Sequence, residues 1–379
     1  MSRPTVLIAG TGLIGTSIAL GLRHRRDVLL QDPSPEALAG AVARGAGRVW
    51  DGVERVDLVV VCAPPQIAGA VLGDLIERQI ASTYTHTASV QSVVQAEVES
   101  LGVEMADFVG GHPMAGREQS GPAAATAELF SGRPWVICPA RETTFEAIGV
   151  LEAVIAELGA QPVVLDAADH DRAVATVSHL PQLAASALAA QLAGADPAVT
   201  ALAGPGLQDS TRIAASDPVL WEGILALNAS NVAPLVHALA DDLSRVAHSL
   251  DRLAAPEGRP ESVEPHEPAP AAVAPGPAVL AELLARGVLG RELVPRKRGE
   301  SDAAFASVAV SVADAPGRLA ALLTTAGAGG VNVEDVRVDH VPDSPRGVIE
   351  LLVRPAARAT AVAVLQAAGW NVLGEDRDT

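Results

Sequence analysis

The run Thr5–Ala9 leads into Gly10-Thr11-Gly12-Leu13-Ile14-Gly15, after which Ile14, Ile18 and Leu22 fall on one helical face. A strand, a glycine turn of this spacing and a helix leave the chain few folds to choose from. The first glycine makes the tight turn, the second lets a pyrophosphate approach the backbone, and the third lets helix and strand pack closely. The helix N-terminus then presents unpaired N–H groups and the positive end of its dipole to phosphate. Asp32 closes the next strand, where a carboxylate can hold a ribose 2′-hydroxyl and repel a 2′-phosphate. An empty glycine turn would not explain that carboxylate. Gly10, Thr11, Gly12, Leu13, Ile14, Gly15 and Asp32 are the candidate cofactor residues, and the cofactor they suit is NAD rather than NADP.

Residues 1–166 continue the pattern. Val28–Leu30, Leu58–Cys62, Thr83–Thr87, Val109, Trp135–Cys138 and Pro162–Leu165 read as strands separated by helical stretches. Leu58–Cys62 is apolar throughout, as a central parallel strand covered on both faces should be. The expected fold is α/β, a doubly wound Rossmann-type domain. Residues 167–255 change to Ala/Leu-rich helices, one interrupted by Pro181, which deletes the hydrogen bond to the carbonyl of Val177 and predicts a kink. Apolar residues lie nearly all round these helices, which suits a homodimer interface better than a helical subdomain. Residues 256–300 form a Pro-rich linker with a short helix expected over Ala278–Arg286. From Phe305, within a third domain at 301–379, the order of elements is βαββαβ, which is ferredoxin-like.

Composition narrows the function. Aromatics are only 2% of the chain against 49% hydrophobic residues, so the cores must be built from Ala, Val, Leu and Ile. A net charge of −18 excludes a nucleic-acid partner, since phosphate backbones need clustered Lys and Arg. Cys62 and Cys138 sit in strand-like runs as buried thiols of a reducing compartment, and no metal-ligand spacing surrounds them, so no metal is expected. No signal peptide and no run of ~18 unbroken apolar residues is present, which predicts a cytoplasmic protein without a membrane partner. The only lysine is Lys297, in the linker, so a mechanism built on an active-site lysine is disfavoured.

The candidate chemistry lies elsewhere. His112 stands in the glycine-punctuated segment Gly110–Gly121, read as a loop after Phe108-Val109. A neutral imidazole near pH 7 is the most available general base, and loops on a rigid scaffold are where chemistry collects. Ser89, just beyond Thr83–Thr87, can orient His112 or cap the helix that follows. Pro64, Ser89 and His112 all follow strand ends, where ligands sit in open α/β sheets. Arg212, in the stretch Gly204–Trp221, lies inside an Ala-rich helical domain and needs an anionic partner; Asp209 or Glu222 would serve, and so would a substrate carboxylate held bidentately. His179, beside Pro181, lines a pocket or is a satisfied core histidine.

These residues carry a resemblance. Gly10–Gly15 with Asp32, Ser89, Gly111-His112-Pro113-Met114-Ala115-Gly116, Ser178-His179-Leu180-Pro181, and Thr211-Arg212-Ile213-Ala214 through Ser216-Asp217-Pro218 and Trp221 resemble the prephenate/arogenate dehydrogenase family over roughly residues 4–254. Residues 305–375, with Asp314-Ala315-Pro316-Gly317 and Asn332, resemble an ACT domain, an amino-acid-sensing module. The chain departs from the family at Gln91, usually lysine, at His86, often an acid, and at Gln182, usually histidine.

The resemblance implies NAD-dependent oxidative decarboxylation of prephenate to 4-hydroxyphenylpyruvate in tyrosine biosynthesis, or the same step on arogenate to give tyrosine. It implies His112 and Ser89 as catalytic residues and Arg212 and His179 as substrate contacts. Asp314, Gly317 and Asn332 would be regulatory, with tyrosine ahead of phenylalanine as effector. A β-hydroxyacid dehydrogenase on the same plan would need a catalytic lysine, which Lys297 is misplaced to supply. A non-catalytic NAD and amino-acid sensor would not need the His112 and Arg212 stretches.

Overall fold

A computed structural model describes residues 3–117, 119–254, 276–294, 305–340 and 346–373; most of the expected linker, including Lys297, lies outside the described residues. The chain divides into two compact units, Met1–Leu243 and Ser244–Thr379.

The first unit begins with β1 (Thr5–Ala9), α1 (Leu13–Leu22), β2 (Asp27–Gln31), α2 (Pro35–Ala43), β3 (Arg48–Val49), β4 (Leu58–Val61), α3 (Pro65–Glu77), β5 (Tyr84–His86), α4 (Ser92–Ser100), β6 (Phe108–Pro113), β7 (Pro134–Pro139), α5 (Phe145–Glu157) and β8 (Gln161–Val164). The eight strands lie in the order β3-β2-β1-β4-β5-β6-β7-β8. The first six follow the strand order of dinucleotide-binding folds. All neighbours are parallel except β6 and β7. Alternation along β1 explains why both faces are covered. Val6 and Ile8 pack with Ile18, Leu22, Leu151 and Val154 on one side, and Leu7 packs with Val59, Leu72, Val94 and Val98 on the other. The two-residue β3 was not expected from the sequence, because Arg48-Val49 is too short and too exposed to carry a pattern.

Helices follow: α6 (Ala167–Val174), a π-helical turn (Ala175–His179), α7 (Leu180–Ala190), α8 (Pro197–Thr200), α9 (Pro205–Thr211), a 3-10 turn (Arg212–Ala215), α10 (Pro218–Leu227) and α11 (Ala229–Ala254), which crosses the division between the units. The disturbance expected at Pro181 takes the form of the π turn. Proline cannot donate to Val177, and the wider ring just before it absorbs the missing bond. Ala167–Ala190 is as long and apolar as a membrane span, but its first turns carry Asp169-His170-Asp171-Arg172 and pack on β7 and α4.

In the second unit, α12 (Gly276–Leu293) is longer than the helix expected over Ala278–Arg286. Then come β9 (Ala306–Ala313), α13 (Arg318–Ala328), β10 (Val333–His340), β11 (Arg346–Val353), α14 (Arg358–Ala367) and β12 (Asn371–Leu373). The sheet runs β10-β11-β9-β12 and is antiparallel throughout. Val308, Val310 and Val312 face Leu322 and Ala326 of α13 and Ala361 and Leu365 of α14. The βαββαβ order is as the sequence suggested. Gly317, with φ of 82°, is the left-handed N-cap of α13, so Pro316 stands outside the first turn.

Candidate active site

The glycine turn takes the form its spacing demands. Gly10 has φ of +108°, and a Cβ there would lie 2.6 Å from the carbonyl oxygen of Cys62. A Cβ on Gly15 would overlap the carbonyl oxygen of Gly10. Gly12, the N-cap of α1, has nothing within 4 Å of where its Cβ would be, and no side chain caps the helix. An open backbone facing uncapped N–H groups is a cradle of the kind a pyrophosphate fills. Asp32 lies beside it. Its Oδ2 accepts from the amide and hydroxyl of Thr11 at 2.6 and 3.0 Å, and its Oδ1 accepts from the amide of Ser34 at 2.8 Å. A carboxylate has about four acceptor sites, so one remains for a ribose hydroxyl.

His112 is not in a loop, as its glycines and proline suggested, but in β6. Its register partner is Val136 of β7. β5 pairs with β6 only at Tyr84–Phe108 and Thr85–Val109, so Gly110–Pro113 run past the carboxyl end of β5 and pair with β7 alone. The antiparallel return of β7 provides a ladder that the sequence did not advertise. The two glycines serve packing. A Cβ at Gly110 would meet Gln91 Oε1 at 2.5 Å, and one at Gly111 would meet the His86 carbonyl oxygen and Trp135 Nε1 at 3.0 and 3.1 Å. His112 thereby stands at the same carboxyl edge of the sheet as the glycine turn, three strands along. That edge is where open α/β sheets hold their ligands.

His112 Nδ1 lies 2.8 Å from His170 Nε2, and His170 Nδ1 lies 2.8 Å from Asp171 Oδ1. Asp171 also accepts from the amides of Gln91 (2.8 Å) and Ser92 (2.9 Å) at the start of α4. Burial works to raise the Asp171 pKa, but the hydrogen bonds from His170, Gln91 and Ser92 outweigh it and hold the carboxyl below its ordinary value. An ionised carboxylate only accepts, so His170 Nδ1 carries the hydrogen. In the neutral form of His170, Nε2 is then an acceptor and His112 Nδ1–H donates to it. His112 Nε2 is left with a bare lone pair.

His179, in the π turn, is buried, and its Nδ1 lies 3.1 Å from Asn228 Nδ2. The same amide nitrogen donates to the backbone carbonyl of Asp171 at 2.8 Å, which fixes the orientation of the amide. His179 Nδ1 is therefore an acceptor, and its Nε2 carries the hydrogen. Trp221 packs edge-on against its ring, with centroids 5.9 Å apart. One histidine offers a lone pair and the other a proton.

Desolvation, followed by the neighbouring His170, His86 and His179, pushes the pKa of His112 down to about 3, with Asp171 opposing. His112 is therefore not the ordinary imidazole that the sequence suggested. Burial lowers His179 to about 4 and His86 to about 3.

The remaining candidates are placed differently. Ser89 is half-buried, and among the described residues the hydrogen-bond partner of His112 is His170 rather than Ser89. Nor does Ser89 cap α4, whose N-cap is Gln91 and whose first amides are held by Asp171. Arg212 is exposed on its 3-10 turn rather than buried, and that turn packs against α7, whose N-cap is His179. Gln91 is buried and donates to the carbonyls of Ala88 (2.6 Å) and Gly111 (3.2 Å), bridging the entry to α4 and the strand that carries His112. Gln182 is buried in α7. In the second unit, Asp314 and Gly317 precede α13, Gly317 as its N-cap, and Asn332 donates to Glu334 at 2.7 Å.

Sequence reasoning missed His170, Asp171 and Asn228. In Asp169-His170-Asp171-Arg172 every residue is polar. Only the fold shows that the middle two are buried while the outer two are exposed.

Comparison with known proteins accords with this geometry. Residues 18–164 match the nucleotide-binding domain model of prephenate dehydrogenase, and residues 166–257 match its dimerization domain model. A Streptomyces niveus protein named probable prephenate dehydrogenase is 36% identical over 376 residues, covering 97% of this chain and 98% of its own. A cyclohexadienyl dehydrogenase of Zymomonas mobilis is 31% identical over 261 residues, 65% of this chain and 88% of its own. The crystal structure of the Aquifex aeolicus prephenate dehydrogenase with hydroxyphenyl propionate and NAD+ superposes with a TM-score of 0.63 at 25% identity, covering 78% of this chain and 99% of that one. With a nucleotide cradle and His112 on one sheet edge, and a relative matched almost end to end, this chain belongs to the prephenate dehydrogenase family.

Proposed function

We propose that this chain catalyses the NAD-dependent oxidative decarboxylation of prephenate to 4-hydroxyphenylpyruvate, with His112 as general base. The observation that carries the reading is His112 at the ligand edge of the sheet, its Nδ1 held 2.8 Å from His170 Nε2 in a hydrogen-bonded chain that ends on Asp171, an arrangement that suits acceptance of a proton at Nε2. Bound on the glycine turn beside Asp32, NAD+ supplies the hydride acceptor. His112 Nε2 takes the proton of the ring hydroxyl as the carbinol carbon is oxidised, and loss of carbon dioxide makes the ring aromatic and the step irreversible. His179 Nε2–H donates to a polar group of the substrate, and Arg212 holds a carboxylate. Ser89, three residues beyond β5, orients the nicotinamide. The chain mainly positions two reactants and removes one proton.

Two finer readings accompany this one. The helices after α6 expose Val177, Leu202 and Val219, apolar surface that a second copy would cover as a homodimer. The βαββαβ unit serves as an ACT-like regulatory module at Asp314, Gly317 and Asn332, with tyrosine as effector before phenylalanine. The test is NAD+ reduction by the purified full chain with prephenate and with arogenate, each with and without tyrosine or phenylalanine. Turnover with neither substrate would overturn the reading. Faster turnover of arogenate would change the substrate, and an identical response without residues beyond 255 would remove the module from regulation.

A further inference from the structure

We infer that His170 and Asp171 are positioning residues that set the tautomer of the base, with Asp171 ordering His112 and His179 in opposite senses from one point. The inference rests on the reading of His112 as base and extends it to residues that never touch substrate.

With His170 neutral, each bond in the chain has one direction. The Asp171 carboxylate lies at the amino end of α4, where the amides of Gln91 and Ser92 and the helix dipole stabilise its charge. It can only accept, so His170 Nδ1 donates to it and His170 Nε2 receives the Nδ1 hydrogen of His112. His170 and Asp171 are 0% and 2% exposed, so water does not compete for these bonds. Free imidazole holds its hydrogen on either nitrogen with little preference. A base that must accept at Nε2 gains from having the other tautomer suppressed.

The backbone of the same residue acts on the second histidine. The Asp171 carbonyl holds one hydrogen of the Asn228 amide, and the other hydrogen meets His179 Nδ1. Asn228 Oδ1 accepts from Asn231 Nδ2 at 2.8 Å, so the amide has no reason to flip. Asp171 thereby leaves a lone pair on His112 Nε2 and a hydrogen on His179 Nε2. Its capping of α4 ties the helix region to the strand that carries Gly111 and His112, through Gln91.

Charge develops in the right direction along this chain. When His112 accepts a proton at Nε2, its Nδ1–H still donates to His170, and the Asp171 charge lies one imidazole away. The groups facing His112 are His170 and Asp171 from α6, His86 from the end of β5 and His179 from the π turn. Only Asp171 favours the protonated base. The relay therefore offsets part of the basicity that burial removes.

The test uses the full chain with labelled histidines. Nitrogen NMR of the wild-type protein should show His112 protonated at Nδ1 and bare at Nε2. His170→Phe should shift the His112 population toward Nε2–H and lower kcat with prephenate by roughly 10–100-fold, while KM and NAD+ affinity stay within about threefold. His170→Gln, whose amide oxygen can accept where Nε2 did, should recover kcat to within about tenfold of wild type. A wild-type His112 protonated at Nε2 overturns the relay, as does a folded His170→Phe with kcat within about threefold of wild type. If His170→Phe does not fold, the wild-type tautomer and the His170→Gln rate still decide. A correct tautomer without prephenate turnover would instead strike at the proposed reaction, so the two failures remain distinct.

Discussion

The nucleotide cradle and the base site share one edge of one sheet, but they draw on the sequence in opposite ways. The cradle is nearly contiguous: residues 10–15 make the turn, and Asp32 reaches back to Thr11 from the next strand. The base site is collected from β5, β6, α6, the π turn and the residue after α10, through His86, His112, His170, Asp171, His179 and Asn228. A contiguous site depends on backbone geometry and fails when a methyl group is added. A collected site depends on the direction of each hydrogen bond and fails when one donor or acceptor is lost.

The contrast can be broken first at the cradle. Gly15→Ala would drive its methyl into the Gly10 carbonyl, so NAD+ binding and soluble expression should both be lost. Gly12→Ala meets nothing within 4 Å and should fold normally while weakening NAD+ binding by roughly tenfold or more, as calorimetry would show. Equal effects from the two substitutions would mean that Gly12 does not face the phosphates. On the substrate side, Arg212→Ala should raise KM for prephenate by roughly 10–100-fold, the ratio for losing about 1.5–3 kcal/mol of charge-assisted hydrogen bonding, with kcat little changed. An unaltered KM would leave Arg212 as an ordinary surface residue. Asp32→Ser should narrow the preference for NAD over NADP by roughly tenfold, by removing like-charge repulsion at the 2′-position. A constant NAD:NADP ratio of kcat/KM would detach Asp32 from the ribose.

The smallest expected effect separates activity from stability. Because burial disfavours the protonated form of His112, the base stays ready as pH falls, and kcat/KM should vary less than about twofold between about pH 6 and about pH 8. Stability behaves differently. His86, His112 and His179 all have lowered pKa values in the fold, so below about pH 6.5 the unfolded chain takes up protons that the folded chain refuses. Tm should therefore decline with acidification through a range where the rate is still flat. A rate that falls through about pH 6.5 would mean that His112 titrates as an exposed imidazole.

What could be read from the sequence follows the same division. The glycine turn, Asp32, the parallel strands and the βαββαβ order were legible, because each rests on local spacing or on alternation within one element. His112 and His179 were legible as residues but not in their surroundings. The antiparallel return of β7 turned an expected loop into a strand, and the π turn took up the break at Pro181. The relay was illegible. His170 and Asp171 sit in a polar tetrapeptide whose neighbours are exposed, and their partner His112 lies 58 positions away. No periodicity within α6 reveals which of its polar residues face the sheet.

The most direct test of the account is His112→Asn, measured for turnover of prephenate alongside NAD+ affinity. The substitution leaves the cradle untouched and removes the ring nitrogen Nε2, while the asparagine amide can still donate to His170. The account predicts a fall in kcat of roughly 10²–10⁴ with NAD+ affinity unchanged. A variant that keeps more than about a third of wild-type kcat would contradict it, because a positioned general base is worth far more than that.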